Sequence, residues 1–298
     1  MRGMTLSVII VSYKKIEILR DCLNSIKQYN DIGEDLEVIV SDNSPDDILY
    51  ETIKKEYDWI KIIKNENKGF GAGNNRGCEI ATGKYLLFLN PDTILIEPIF
   101  KFTVEQFEQD KDLALFGVQL LRKDLKKNVS FFNIDKYGIF VTLKVKICRK
   151  INKFQDGKMF IAGADLFVRR EAFEQAGRFD ENIFMYKEEA DLIKRIKLYA
   201  TAKKTEFYEN KHIIHLEGGT ETDDSDHIIT QLKRIVETDI YYAEKWGINV
   251  EKVLKSKRRY CRFKLFAYSL LLKRKKADEQ KRLIEVYNGT LKKLECKN

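Results

Sequence analysis

Proline is scarce, with 3 in 298 residues, and no low-complexity tract takes its place, so the chain has the composition of neither a linker nor a disordered tail. Cysteine is thinly spread. Cys22, Cys78, Cys148, Cys261 and Cys296 are odd in number and include no C-x-x-C pair, which argues against a disulfide framework and a zinc site and fits a reducing compartment. Long apolar runs are missing as well. Leu265–Leu272 stops at Lys273-Arg274-Lys275-Lys276, far short of the roughly 18 residues that span a bilayer. Leu6–Val11 is too short for the apolar stretch of a secretory signal and has no small-residue cleavage site after it, so it reads as a first strand. What is present is apolar mass, 44% of residues, which suffices for one large domain or one domain with an appendage. Charge is uneven. Residues 251–298 hold 16 Lys and Arg against 5 Asp and Glu, a balance of +11, which leaves −3 for the first 250 residues of a chain whose total is +8.

The first half alternates strand-like runs with helical patterns: Leu6–Val11, a helix around Ile16–Gln28, Leu36–Val40, a helix around Asp46–Glu56, Trp59–Ile63 and Tyr85–Leu89. Such alternation predicts βαβ units, a parallel sheet and a ligand crevice beyond the carboxyl ends of the strands. The residues at those ends are Ser12-Tyr13, Asp42-Asn43-Ser44, Asn65 to Asn75 and Asn90-Pro91-Asp92. Further on come Leu113–Leu121, an aperiodic basic stretch from Lys144 to Lys158 that reads as a mobile loop, a strand at Met159–Val168, a short helix near Glu171–Ala176, and a helix from about Glu188 to Leu198. Residues 228–246 and 250–295 read as helical throughout.

Each chemistry-bearing cluster has a structural alternative. Asp42, Asn43 and Ser44 can read a base or ribose edge, and are equally the residues of an ordinary turn. The run from Asn67 to Gly77 offers free backbone N–H groups at a helix start to an anion. It follows the third strand with the wrong spacing for a dinucleotide fingerprint, and a purely structural glycine turn stays open. After Asn90-Pro91, Asp92 is either presented in the crevice, where a carboxylate can share a divalent cation with diphosphate oxygens, or caps the next helix. Glu188, Glu189 and Asp191 suit a helix N-terminus on electrostatic grounds alone, yet the apolar lead-in Phe184-Met185-Tyr186 projects them toward a cleft where a carboxylate can accept a hydroxyl proton. His215 ends an apolar run ahead of Gly218-Gly219, and is either a satisfied structural histidine or a metal ligand beneath a glycine-hinged lid.

Taken in order, Ser-Val-Ile-Ile-Val-Ser-Tyr, Val-Ser-Asp-Asn-Ser, Asn-Lys-Gly-Phe-Gly-Ala-Gly-Asn-Asn, Leu-Asn-Pro-Asp-Thr, Gly-Ala-Asp-Leu-Phe-Val-Arg-Arg-Glu-Ala-Phe, Phe-Asp-Glu-Asn-Ile-Phe-Met-Tyr-Lys-Glu-Glu-Ala-Asp-Leu and His-x-x-Gly-Gly-Thr resemble glycosyltransferase family 2. The resemblance covers about residues 5–225 and is strongest to the bacterial rhamnosyltransferase-like branch. It implies an α/β GT-A fold with a mainly parallel mixed sheet, in a catalytic domain over 1–225 with a nucleotide-binding half to about 112 and an acceptor half over 113–225, followed by a basic helical region over 226–298. It implies an inverting hexosyltransferase that takes a dTDP- or UDP-sugar, with Mg2+ or Mn2+, to a hydroxyl of a glycan or lipid-linked acceptor in cell-surface polysaccharide synthesis. Carried over by motif, Ser12, Tyr13, Asp42, Asn43, Gly69, Asn75 and Arg76 line the nucleotide pocket, and Asp92 and His215 hold the metal. Glu189 is the catalytic base, Glu188 and Asp191 orient hydroxyls, and Gly163, Ala164 and Arg195 shape the donor and acceptor site, with Arg195 fixing Asp191. Two departures stand out: Asn90 replaces the first acid of the DxD pattern, and the usual Glu-Asp pair is Glu188-Glu189.

The competing classes are a noncatalytic nucleotide-sugar or glycan-binding protein and a sugar nucleotidyltransferase that would release pyrophosphate. Near the carboxyl terminus, Phe263, Phe266, Ala267, Leu270 and Leu271 form a helical apolar face among basic residues. That face, within 260–276, contacts an anionic membrane surface, the catalytic domain or a second subunit of a homo-oligomer. No nucleic-acid-binding module accompanies the basic residues. The corresponding location is cytoplasmic, peripheral on the inner face of the cell membrane.

Overall fold

The structure, a computed structural model, describes residues 5–135, 139–216 and 225–296. The described residues fall into two compact units, drawn from Met1–Ile134, Arg149–Phe184 and Glu188–Glu221 for the first and from Asp135–Cys148, Met185–Lys187 and Thr222–Asn298 for the second.

In chain order the elements are β1 (Leu6–Ser12), α1 (Ile16–Gln28), β2 (Leu36–Asp42), α2 (Ile48–Glu56), β3 (Lys61–Lys64), α3 (Phe70–Ile80), β4 (Tyr85–Leu89), β5 (Thr93–Leu95), α4 (Phe100–Gln109), β6 (Leu113–Leu121), β7 (Phe131–Asn133), α5 (Ile139–Lys150), β8 (Met159–Ile161), β9 (Asp165–Arg169), α6 (Arg170–Gln175), α7 (Glu188–Tyr199) and β10 (Lys204–His215). Eight strands form one sheet in the order β3-β2-β1-β4-β9-β6-β10-β5, and β7 pairs with β8 apart from it. Strands β3, β2, β1 and β4 are parallel. Strand β9 is antiparallel to β4 and β6, β10 is parallel to β6, and β5 is antiparallel to β10. This is the mixed, mainly parallel α/β sheet that the sequence implies.

The near-continuous apolar runs form the strands covered on both faces: every residue of β1, β4, β6 and β9 is buried. Helix α1 turns Leu19, Cys22, Leu23 and Ile26 inward at the three- and four-residue spacing of one helical face. Stacked rings tie neighbouring elements together, Tyr85 on Phe107 at 4.7 Å and Phe116 on Phe167 at 4.6 Å between centroids. Because β1 and β2 pair in parallel with Ser12 opposite Asp42, and β1 and β4 with Ile10 opposite Leu89, Ser12, Asp42 and Asn90 emerge along one edge of the sheet.

The second unit contains α8 (Ser225–Lys245), α9 (Val250–Leu270) and α10 (Arg274–Glu295) around a small core of Val236, Leu254, Cys261, Tyr287 and Leu291. Asn249 caps α9 by accepting a hydrogen bond from the Lys252 amide at 2.7 Å. Three expectations are corrected. The strand expected over Met159–Val168 is two, β8 and β9, in different sheets, parted at residues 162–164. The basic stretch from Lys144 is not all loop, since α5 runs to Lys150; lysines interleaved with apolar residues hid its period. Nor is 250–295 one uninterrupted helix: it breaks at Leu271–Lys273, where Leu272 adopts φ 53°. The cysteines are free, four of them buried and Cys296 exposed.

Candidate active site

At the tip of β1, Ser12 is buried and its Oγ has no hydrogen-bond partner, while the next residue, Tyr13, is 45% exposed. At the tip of β2, Asp42 is fully buried, with Oδ1 accepting from the Ser44 amide at 2.8 Å and Oδ2 facing Lys64 Nζ at 3.1 Å. Asn43 donates its side-chain amide to the Gly69 carbonyl at 3.3 Å and its backbone amide to the Ser12 carbonyl at 2.9 Å. Beside these ends lies a polar cavity of 310 Å³ lined by Lys64, Asn65, Lys68, Arg76 and Glu181 among others. Lys64 has no place in the site read from the sequence, and Asn65 enters it only as the first residue of the run after the third strand. Their partners lie more than twenty residues back along the chain, and no local pattern announces such pairs.

The glycine-rich segment divides into separate tasks. Gly69 has φ +106°, and a side chain there would overlap the Phe184 carbonyl, which accepts from the Phe70 amide at 3.0 Å. Gly69 therefore docks the start of α3 against the segment leading to α7. Asn75 is buried and uses both ends of its amide on the turn at Phe179, donating to the Phe179 carbonyl at 2.9 Å and accepting from its amide at 3.1 Å. Its side chain braces that turn. Arg76 is half exposed and paired with Glu79 at 2.9 Å.

Pro91 suits the second position of a tight turn. Here it starts a reversal closed by Thr93, whose amide and hydroxyl both donate to the Asn90 carbonyl, at 3.2 and 2.7 Å. The turn leads into β5, not a helix, so the capping alternative for Asp92 does not hold. Strand β5 pairs with the end of β10, with Thr93 opposite His215, and the Leu216 amide donates to the Asp92 carbonyl at 2.9 Å. As a result Asp92 Oδ1 and His215 Nε2 lie 3.2 Å apart, each side chain keeping a small exposed surface. The glycine pair expected to serve as a lid, Gly218-Gly219, lies outside the described residues. No group of three or more His, Cys, Asp or Glu side chains among the described residues is placed to hold a metal ion.

The Asn90 amide donates to the Ala164 carbonyl at 3.1 Å, and the adjacent Gly163 leaves room that the Glu189 carboxylate fills; a β-carbon there would collide with Oε1. The Asn90–Ala164 hydrogen bond thus joins the turn that carries Asp92 to the Gly163-Ala164 segment on which Glu189 packs. Helix α7 starts just after Tyr186 and Lys187, both in the left-handed region with φ 69° and 81°, a strained approach of the kind that collects at functional sites. Its acids are far more buried than a dipole argument requires. Glu188 is 3% exposed, and burial, with the like charge of Glu189 adding to it, pushes its carboxyl well above the usual range. Asp191 is fully buried and ion-paired with Arg195 at 2.7 Å, and Arg195 in turn donates to the Ala176 and Arg178 carbonyls. Arg195 is paired with Asp191, and the pair braces the turn that follows α6.

Asp165, named in sequence only as a neighbour of Gly163-Ala164, is fully buried. Its Oδ2 accepts from the Val118 amide at 2.7 Å, its Oδ1 has no partner, and burial holds its carboxyl well above the normal range.

The family profile described as "Glycosyl transferase family 2" matches residues 7–177. Rhamnosyltransferase WbbL of Escherichia coli K12 is 28% identical over 207 residues, 64% of this chain and 76% of WbbL. The GalNAc(5)-diNAcBac-PP-undecaprenol β-1,3-glucosyltransferase of Campylobacter jejuni is 32% identical over 138 residues, 44% of each chain, so the match spans less than half of that relative. Among solved structures, the mannosyltransferase PcManGT of Pyrobaculum calidifontis, in complex with GDP-Man and Mn2+, superposes with a TM-score of 0.62 at 14% identity, covering 98% of this chain and 87% of that one. That likeness shows a shared GT-A fold.

Proposed function

Because the chain belongs to glycosyl transferase family 2, we propose that it is an inverting hexosyltransferase that moves rhamnose or a similar sugar from a dTDP- or UDP-linked donor to a hydroxyl of a glycan or lipid-linked acceptor. The likeness to WbbL supports rhamnose, and the undecaprenol-linked substrate in the second relative's name supports a lipid-linked acceptor. The observation that carries the reading is the 3.2 Å contact of Asp92 with His215, on a turn whose Asn90 amide bonds the Ala164 carbonyl next to Gly163 and Glu189.

The donor set fits a divalent cation: a hard carboxylate oxygen and a neutral imidazole nitrogen, with diphosphate oxygens and water to complete the shell. Asp92 and His215 would hold Mg2+ or Mn2+, whose chemistry when bound is Lewis-acid stabilisation of charge on the departing diphosphate. On the nucleotide side, the unpartnered Ser12 hydroxyl, Tyr13 and Asn43 contact base and ribose, with Asp42 and Lys64 setting the shape of that wall and Arg76 at its outer edge. Glu189 takes the proton of the acceptor hydroxyl as the hydroxyl oxygen bonds to the anomeric carbon and the nucleoside diphosphate leaves from the opposite face. Glu188, whose carboxyl burial holds well above the usual range, orients hydroxyls beside Glu189. Gly163 gives Glu189 its position, and the Asp191–Arg195 pair ties α7 to the turn that follows α6.

The test is release of nucleoside diphosphate from a panel of UDP-, dTDP- and GDP-sugars with Mn2+, Mg2+ or EDTA. One donor is expected to turn over, only with metal, and Glu189→Gln is expected to lower turnover by about 10²- to 10⁴-fold while nucleotide binding persists. Unchanged turnover of that variant would move the base elsewhere. Nucleotide binding without release from any donor would favour a binding protein, and pyrophosphate release from a nucleoside triphosphate would favour a nucleotidyltransferase.

A further inference from the structure

On α9, the residues turned toward its partner helices are Val253, Leu254 and Cys261. Phe263, Phe266 and Leu270 follow at i, i+3 and i+7 on a stripe that nothing covers, 49, 64 and 68% exposed, and the turn beyond them presents Leu271 and Leu272 at 63 and 83%. An apolar run this exposed at the end of a helical hairpin is uncommon unless something binds it. The surrounding charge is of one sign: residues 259–276 contain seven Lys and Arg and no acid. Four of the seven, Lys273 to Lys276, are exposed immediately after the leucines. The same unit repeats the combination on α5, where Phe140, Leu143 and Ile147 are 87, 50 and 61% exposed at the same spacing, and residues 136–148 hold three lysines and again no acid.

We propose that the second unit binds the surface of an anionic phospholipid bilayer, with the leucine turn between α9 and α10 entering the headgroup region, the lysines and arginines around it meeting lipid phosphates, and the stripe of α5 making a second contact. Charge complementarity selects this partner. A protein partner for a patch so uniformly basic would itself have to be acidic and greasy, and a nucleic acid would leave the leucines without a role. No described helix is long and apolar enough to cross a membrane, so the contact is superficial. Each cation near an anionic surface strengthens binding about fivefold, and apolar residues at the interface add to that. The inference stands apart from the transfer reaction, because it concerns binding alone.

The test is co-sedimentation of the full chain with vesicles of phosphatidylcholine alone or with 30% phosphatidylglycerol, at about 0.1 and 0.5 M salt. Binding is expected only to the anionic vesicles and is expected to weaken at high salt. The combined change Lys273→Gln, Arg274→Gln, Lys275→Gln and Lys276→Gln is expected to weaken it by two orders of magnitude or more. Leu271→Ser with Leu272→Ser is expected to weaken it at least tenfold, and Phe140→Ser with Ile147→Ser severalfold, with helical content unchanged by circular dichroism. Absence of binding to anionic vesicles overturns the proposal. So does full binding by the leucine variant, which would mark a polyanion contact alone, or a concentration-dependent dimer that the leucine changes abolish, which would assign the turn to a second copy of the chain.

Discussion

A carboxyl group buried with a single hydrogen bond is costly to ionise, and Asp165 is that case: fully buried, one oxygen on the Val118 amide, the other without a partner. Its folded-state value stands well above that of the unfolded chain. Below both values the proton is bound in either state and pH has no effect through this group. Above the unfolded value the unfolded chain gains by ionising and the fold does not, so stability falls as pH rises, by about 1.4 kcal/mol for each unit of separation once the folded value is passed. Asp165→Asn, close in shape to the protonated acid, is expected to be more stable than the parent at pH 8 and no more stable near pH 3.5, as read by urea unfolding at both pH values. A variant less stable at pH 8 would show that the ionised acid is the native form. The same contrast explains what was legible at this scale. Asp92, His215 and Glu189 stand in motifs at strand and helix ends, where residue type and order suffice to single them out. The bracing work of Asn75 and of the Asp191–Arg195 pair has no local signal in the sequence, because a side chain's partners are decided by which distant carbonyls the fold brings to it, and Phe179 lies about a hundred residues from Asn75.

At the amino-terminal ends of β1 and β2, away from the strand tips that gather the site residues, one side chain ties three segments together. Glu37 accepts from the Ser7 hydroxyl at 2.5 Å, from the Thr82 hydroxyl at 2.9 Å, from the Thr82 amide, and from the Gly83 amide at 3.0 Å, and it pairs with Lys61 at 2.8 Å. Burial alone would raise its carboxyl, but the hydrogen bonds from Lys61, Ser7 and Thr82 outweigh it and hold the group down to about 2. A depressed acid stabilises the fold above its unfolded value, near 4.5, and that contribution disappears as pH falls toward about 2. Glu37→Gln keeps the shape and loses the charge, and is expected to cost about 2–3 kcal/mol at pH 7 and much less at pH 3, measured by denaturant midpoint. An equal loss at both would mean that shape, not charge, makes the staple. Elements were readable in sequence where burial is complete, as in β1, α1 and β4. They were not where it is partial: β10 is half exposed along most of its length and shifts register between Tyr208 and His212, so no alternation survives in Lys204–His215. Yet this strand carries His215 to Asp92, and without it the pair proposed to hold the metal is two isolated motifs.

For the whole molecule, charge and ligand chemistry divide along the chain. The first 250 residues balance at −3 and contain the residues proposed to hold nucleotide and metal, while the last 48 carry +11. If the two surfaces serve separate ligands, each can be removed while the other is retained. A nucleoside diphosphate that binds only the native state stabilises it by about 2.7 kcal/mol at a hundred times its dissociation constant, a rise in melting temperature of about 5 °C or more for a unit of this size. With UDP or dTDP and Mn2+ the parent is expected to show that rise, and EDTA to reduce it. Asp92→Ala is expected to retain the part that nucleotide gives alone and to lose the part that Mn2+ adds, because the carboxylate is half of the protein's share of the ion's shell. The comparison is between shifts with and without ligand, so a loss of basal stability in the variant does not confuse it. The variant with four glutamines at 273–276 is expected to show the full parental shift, and Asp92→Ala to sediment with anionic vesicles as the parent does. An Mn2+ increment that survives in Asp92→Ala would remove this aspartate from the metal site and with it the contact on which the proposed chemistry rests.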